Sequence, residues 1–116
     1  EAAITATTIY AVPAAGAGLY RVNWVATVTR VATTSCVLGG TTGFQVVFTN
    51  SSDSVVKTSN PTTATISAVN ATGTTISGTC LAYCKASTNL QYAMDYTSVG
   101  AQKMQFDMTI EVEYLG

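Results

Sequence analysis

The sequence predicts an all-β chain: a single antiparallel β-sandwich of about eight strands, jelly-roll-like, over residues 1–116. Three observations carry that prediction. Apolar residues recur at every second position over most of the chain, the period of a half-buried strand. Clusters of Gly, Pro, Asn, Asp and Ser interrupt that alternation at short intervals, as turns do. The composition is 47% hydrophobic and 9% charged, with Thr filling much of the polar share. β-Branched residues favour the pleated sheet, and a chain this apolar and weakly charged is not disordered.

Taken in order, EAAITATTIY is a first short strand near residues 3–10, and AVPAAGAG is a Pro/Gly loop. GLYRVNWVATVTRVA is a long strand with Tyr20, Val22, Trp24, Ala26 and Val28 on one face. Its other face mixes Arg21, Asn23, Thr27 and Thr29 with Val25 and Val31. TTSCVLGGTTG is read as a loop. FQVVFT, SVVKTS and ATISAV are strands, separated by the turns NSSD and NPTT, and NATG ends the third. TTISGTCLAYC and NLQYAMDY follow as strands, joined by the turn KAST. TSVGAQ leads into the closing strand, KMQFDMTIEVEYLG. There Met104, Phe106, Met108, Ile110, Val112 and Tyr114 alternate with Gln105, Asp107, Thr109, Glu111 and Glu113. The six apolar residues are expected to close a core or an interface. A one-residue slip would turn them all outward. No segment shows a helical stripe with caps.

The charge pattern narrows function. The net charge is −1. Arg21, Arg30, Lys57, Lys85 and Lys103 are scattered, so no basic patch offers the phosphate neutralisation that drives nucleic-acid binding. No run reaches the ~18 apolar residues of a membrane helix. The chain opens on Glu1 and carries no signal-peptide pattern, as expected of a processed product or part of something longer. No catalytic motif is present. With no histidine, a Ser–His or Cys–His pair is excluded, and a zinc site lacks its usual ligands.

Among the acids, Asp107, Glu111 and Glu113 share one strand face, and Asp53 and Asp95 complete the carboxylates a hydrolase or calcium site would draw on. The reading adopted is a solvated face, or an edge charged against aggregation. Catalytic, cofactor-binding and metal residues are therefore assigned as none. The aromatics Tyr20, Trp24, Phe44, Phe48, Tyr92, Tyr96, Phe106 and Tyr114 fall on alternating apolar faces and are read as core. Cys80 and Cys84 lie four apart on one strand, about 13 Å by strand rise, too far to bridge each other. Either could pair with Cys36, and small buried thiols are the simpler reading. The Thr-x-Thr stretches lack the fixed repeat of an ice-binding ladder. Asn50-Ser51-Ser52 and Asn70-Ala71-Thr72 match the glycosylation pattern and imply exposed turns.

Three stretches taken together, GLYRVNWVATVTRVATTSCVLGG, FQVVFTNSSDSVVKT and YTSVGAQKMQFDMTIEVEYL, resemble a β-sandwich domain of tailed-phage virion proteins. The likeness runs from Gly18 to Leu115 and departs at the turn Thr49-Asn50-Ser51-Ser52-Asp53, where relatives often carry Thr-Asp-Pro-Asp-Gly or similar. The resemblance implies a non-enzymatic structural component of a bacteriophage particle at the virion surface: a fibre or tail head domain, or a capsid decoration. It implies no catalytic residues. It implies self-association as a trimer or other symmetric oligomer, contact with other virion proteins, and adhesion to a host-surface glycan through loops. Loops Thr33–Gly43, Asn50–Asp53 and Lys85–Thr88 are the candidates for contact, and Val25, Val31, Val47 and Leu81, opposite the aromatic faces, for a subunit interface. The alternatives are a carbohydrate- or receptor-binding sandwich and a bacterial surface or pilus-like subunit.

Overall fold

The computed structural model describes residues 3–38, 43–59, 66–67 and 72–116. Among these residues there is no helix. The described residues form nine strands: β1 (Ala3–Ala11), β2 (Gly18–Arg30), β3 (Ser35–Leu38), β4 (Phe44–Thr49), β5 (Val56–Ser59), β6 (Ile66–Ser67), β7 (Thr75–Cys84), β8 (Asn89–Val99) and β9 (Gln105–Tyr114). They make two antiparallel sheets packed face to face, a β-sandwich 47 × 20 × 20 Å in extent.

The smaller sheet has the order β7-β2-β9. Strand β2 sits at its centre because it alternates most strictly. Tyr20, Val22, Trp24, Ala26 and Val28 are all buried, and the residues between them are half-buried or exposed. Each such valine contributes roughly 1.5–3 kcal/mol relative to an exposed one. The larger sheet is organised around β8. Strand β1 pairs with Asn89–Asp95, β4 with Gln91–Met94 and β3 with Tyr96–Val99, while β5 pairs with β4 and β6 with β3.

The sheets lock together through an aromatic stack. Trp24 of β2 lies on Phe44 of β4 with ring centres 4.3 Å apart, and Phe44 lies on Tyr92 of β8 at 5.8 Å. Such pairs add about 0.5–1.5 kcal/mol beyond their buried area. Gly78 of β7 stands opposite Trp24 in the register. A Cβ there would come within 3.0 Å of the indole Nε1, so the glycine makes the space in which the indole lies.

The alternation located the strands well, and two readings change. The stretch read as the loop TTSCVLGGTTG contains β3, with Cys36 and Leu38 buried. Four residues between Thr and Gly clusters are too few to register as a period. Strand β8 runs on to Val99, past the expected end at Tyr96, because β3 pairs with that extension. Of the strand read as ATISAV, only Ile66 and Ser67 are described. The turn at 60–63 lies outside the described residues, as does the glycosylation pattern's Asn70.

Candidate assembly surface

The outer face of the β7-β2-β9 sheet presents the odd-numbered residues of β2 in register with their neighbours. Tyr83 lies opposite Leu19, and the Leu115 amide donates to the Leu19 carbonyl at 2.7 Å, which prolongs β9 past its last ladder residue. The next row across the sheet is Leu81, Arg21 and Glu113, and the one after it is Thr79, Asn23 and Glu111. Ser77, Val25 and Thr109 follow, then Thr75, Thr27 and Asp107. The face is therefore apolar at one rim and becomes polar along its length. Leu81 is 53% exposed and Tyr83 44%, both large for such side chains.

The β9 acids on this face are held by β2. Arg21 Nη1 donates to Glu113 Oε1 at 2.9 Å, and Asn23 Nδ2 to Glu111 Oε1 at 3.2 Å. Strand geometry spreads the carboxylates along the sheet instead of gathering them. Among the described residues no group of three or more Cys, Asp or Glu side chains is placed to hold a metal ion.

The apolar rim belongs to one end of the sandwich, formed by loop 12–17 and turns 50–55 and 85–88. Backbone bonds join these segments: Val12 N to Thr88 O, Ser87 N to Val12 O, Ser51 N to Tyr83 O and Lys85 N to Thr49 O. Three of its tyrosines pack together. Tyr20 packs against Tyr10 at 5.7 Å and Tyr114 at 5.0 Å. Its hydroxyl donates to the Gly16 carbonyl at 2.6 Å, and that of Tyr114 to the Ala17 carbonyl at 3.2 Å. Burial, and then the two neighbouring phenols, push the Tyr20 hydroxyl above its ordinary pKa. Val55 and Val56 are exposed on the turn beside this end.

Charges here are engaged internally. Asp53 accepts from the Val55 amide at 3.0 Å and pairs with Lys57 at 3.0 Å, which hold its carboxyl below the usual range. Lys85 Nζ donates to Ser54 Oγ at 2.8 Å.

The sequence-predicted contact loops separate. Asn50–Asp53 and Lys85–Thr88 meet at the apolar end. Thr33 lies at the opposite end, where its amide donates to the Gln102 carbonyl, and residues 39–42 lie outside the described residues. Of the proposed interface valines and leucine, Val25 and Leu81 do stand on the outer face. Val31 is half-buried and packs against the core, and Val47 is half-buried on β4. Tyr114, read as core, is 55% exposed, because it lies at the rim of an edge strand beyond the sandwich interior. Phe106, Met108, Ile110 and Val112 face the core but stay half-buried for the same edge position.

No disulfide joins Cys36, Cys80 and Cys84, and all three are buried. Cys80 and Cys84 share the inner face of β7. Burial and the neighbouring Cys80 push the Cys84 thiol up to about 11, which keeps it protonated and unreactive at neutral pH. Comparison with protein-family models, with curated proteins and with solved structures found no match.

Proposed function

We propose that the protein is a non-enzymatic structural component of a phage particle, a fibre or tail head domain or a capsid decoration, acting through contacts between copies of itself and with other virion proteins. The observation that carries the assembly part is the apolar rim of the outer sheet face. Leu19, Leu81, Tyr83 and Leu115 lie side by side there, around one ion pair, at an end where Asp53 pairs with Lys57 and Lys85 donates to the Ser54 hydroxyl. A surface of that kind gives a charged partner little to read and offers a similar surface area to bury. The strand edges are guarded: two register shifts interrupt β1, and β9 carries three acids. Association through faces is therefore favoured over strand addition. The phage setting rests on the sequence resemblance.

Sedimentation velocity tests the assembly. A symmetric oligomer is expected, and Leu81→Glu with Tyr83→Glu should disperse it while leaving the melting temperature of the subunit unchanged. A monodisperse wild-type monomer at micromolar concentration would sink this reading. Immunogold labelling of purified particles tests the setting.

A further inference from the structure

The molecule is long and narrow, 47 × 20 × 20 Å, and its exposed apolar side chains are spread unevenly over it. Among the described residues, Val25 and Val99 are the only large ones that stand far from the rim end. The tip of that end, beyond the rim, is formed by loop 12–17 and turn 50–55. We propose that this tip docks shallowly on a lipid bilayer, with loop 12–17, Val55 and Val56 at the boundary between headgroups and acyl chains. This goes beyond the assembly surface, which runs along the outer sheet face, and does not rest on it.

Three observations carry it. The first is composition. An exposed loop is ordinarily built from polar turn formers. Here Pro13, Ala14, Ala15 and Ala17 are exposed, and no residue from Tyr10 to Tyr20 carries a charge. On the neighbouring turn Val55 is 49% exposed and Val56 63%, where polar side chains would serve the fold as well.

The second is the backbone. Amides and carbonyls that enter an apolar medium must already be bonded. Loop 12–17 meets much of that demand from within the protein. Pro13 has no N–H to satisfy, and its carbonyl accepts from the Gly16 amide at 3.0 Å. The Val12 amide donates to the Thr88 carbonyl, and the Val12 carbonyl accepts from the Ser87 amide. The Gly16 and Ala17 carbonyls take the hydroxyls of Tyr20 and Tyr114. Turn 50–55 is closed in the same way. The Asn50 amide donates to the Val55 carbonyl, the Ser54 amide to the Asn50 carbonyl, and the Val55 amide to Asp53 Oδ1.

The third is the surround. Tyr10 and Tyr114 stand exposed just below the loop, at the depth where tyrosines mark membrane interfaces. The nearby charges do not oppose lipid. Turns 50–57 and 85–88 hold two lysines and one acid, and that acid, Asp53, is paired with Lys57. A lysine keeps its ammonium at phosphate level while its stem lies lower.

A second copy of the protein fits the tip less well. A contact confined to an end 20 × 20 Å across hides about 400 Å² on each partner and about 800 Å² together, short of the ~1,200 Å² at which stable specific interfaces begin. A bilayer needs no matching surface, and each apolar side chain that enters it adds its own transfer free energy.

The test is flotation of the full chain with vesicles of phosphatidylcholine alone and with added phosphatidylglycerol. Amide spectra of the ¹⁵N-labelled protein on phosphatidylcholine bicelles carrying a nitroxide lipid then locate the contact. The protein should float with both vesicles. The nitroxide should broaden the amides of Ala14, Ala15, Ser54, Val55 and Val56 and leave Thr33 and Gly100, at the other end, sharp. Val55→Ser with Val56→Ser should lower partitioning about tenfold or more, whereas Val99→Ser, at an exposed valine of the far end, should not change it. No flotation, binding to anionic vesicles alone that salt abolishes, broadening centred on other residues, or a double variant that floats like the parent would each overturn the assignment. So would self-association in the absence of lipid that the double variant abolishes, because it would give the tip to a second copy.

Discussion

The two ends of the sandwich are built from the same strands and solve the same problem differently. At the rim end, side chains close the structure: Tyr10, Tyr20 and Tyr114 pack together, Arg21 pairs with Glu113 and Asp53 with Lys57, and Leu81, Tyr83 and Leu115 remain exposed among them. At the opposite end, where Thr29, Tyr96 and Gln105 border an open cleft, backbone bonds to Thr33, Ser98 and Gln102 close it, and the exposed Thr29, Gln105 and Asp107 are polar. Strand alternation buries the same kind of face throughout. The closure therefore decides which chemistry is left for the outside, and the two ends suit two kinds of contact.

The comparison can be broken first at the cleft end. Gly100 has φ +124°, and a Cβ there would lie 2.7 Å from Thr33 Cβ and 2.8 Å from the Thr34 amide nitrogen. Gly100→Ala should cost about 3 kcal/mol or more in denaturant unfolding. Gly73→Ala, at φ +90° but with open space around it, should cost only about 1 kcal/mol.

Alkali should open the rim end first. The Cys84 thiol titrates at about 11 when folded, above the ~8.5 of an unfolded cysteine. Its contribution is complete below the unfolded value and is lost as pH rises through the folded one, on the order of 3 kcal/mol in all. Unfolding midpoints measured across that window should fall, and Cys84→Ala should flatten the slope.

Ser98→Ala, which leaves the Met104 amide without its acceptor in a buried position, should cost about 1–3 kcal/mol and raise hydrogen exchange around the cleft alone. Its counterpart at the rim, Tyr20→Phe, removes the bond to the Gly16 carbonyl and should cost about 1 kcal/mol. The smallest effect is expected of Glu111→Gln with Glu113→Gln. Arg21 and Glu113 are both well exposed, and such pairs contribute about 0.2–1 kcal/mol.

Most of the strand framework was legible, because a period of two persists wherever one face is buried. β2, β7 and β9 read directly from their alternation. β3 did not, since four residues carry too little pattern and their burial depends on pairing with the far half of β8. Sequence pattern also gives side without depth. Tyr114 and Phe106 alternate as strictly as Val22, yet β9 is an edge strand and covers them only in part. The rim was partly legible, through Leu81 on a face opposite the aromatics, and Val25 lies on the same outer face farther along. The cleft was not, because Thr29 reaches it only through a bulge that no local pattern announces.

The pairing of β2 also constrains how the chain can be made. Its partners are β7 and β9, more than forty residues downstream, and β1 likewise waits for β8. During synthesis the strand that buries the most apolar side chains leaves the ribosome long before either neighbour exists. Non-local pairing of this kind places folding in the millisecond-to-second range. The nascent chain must carry an uncovered Tyr20–Val28 segment throughout that interval, a period when chaperones, or a second nascent copy, have access to it.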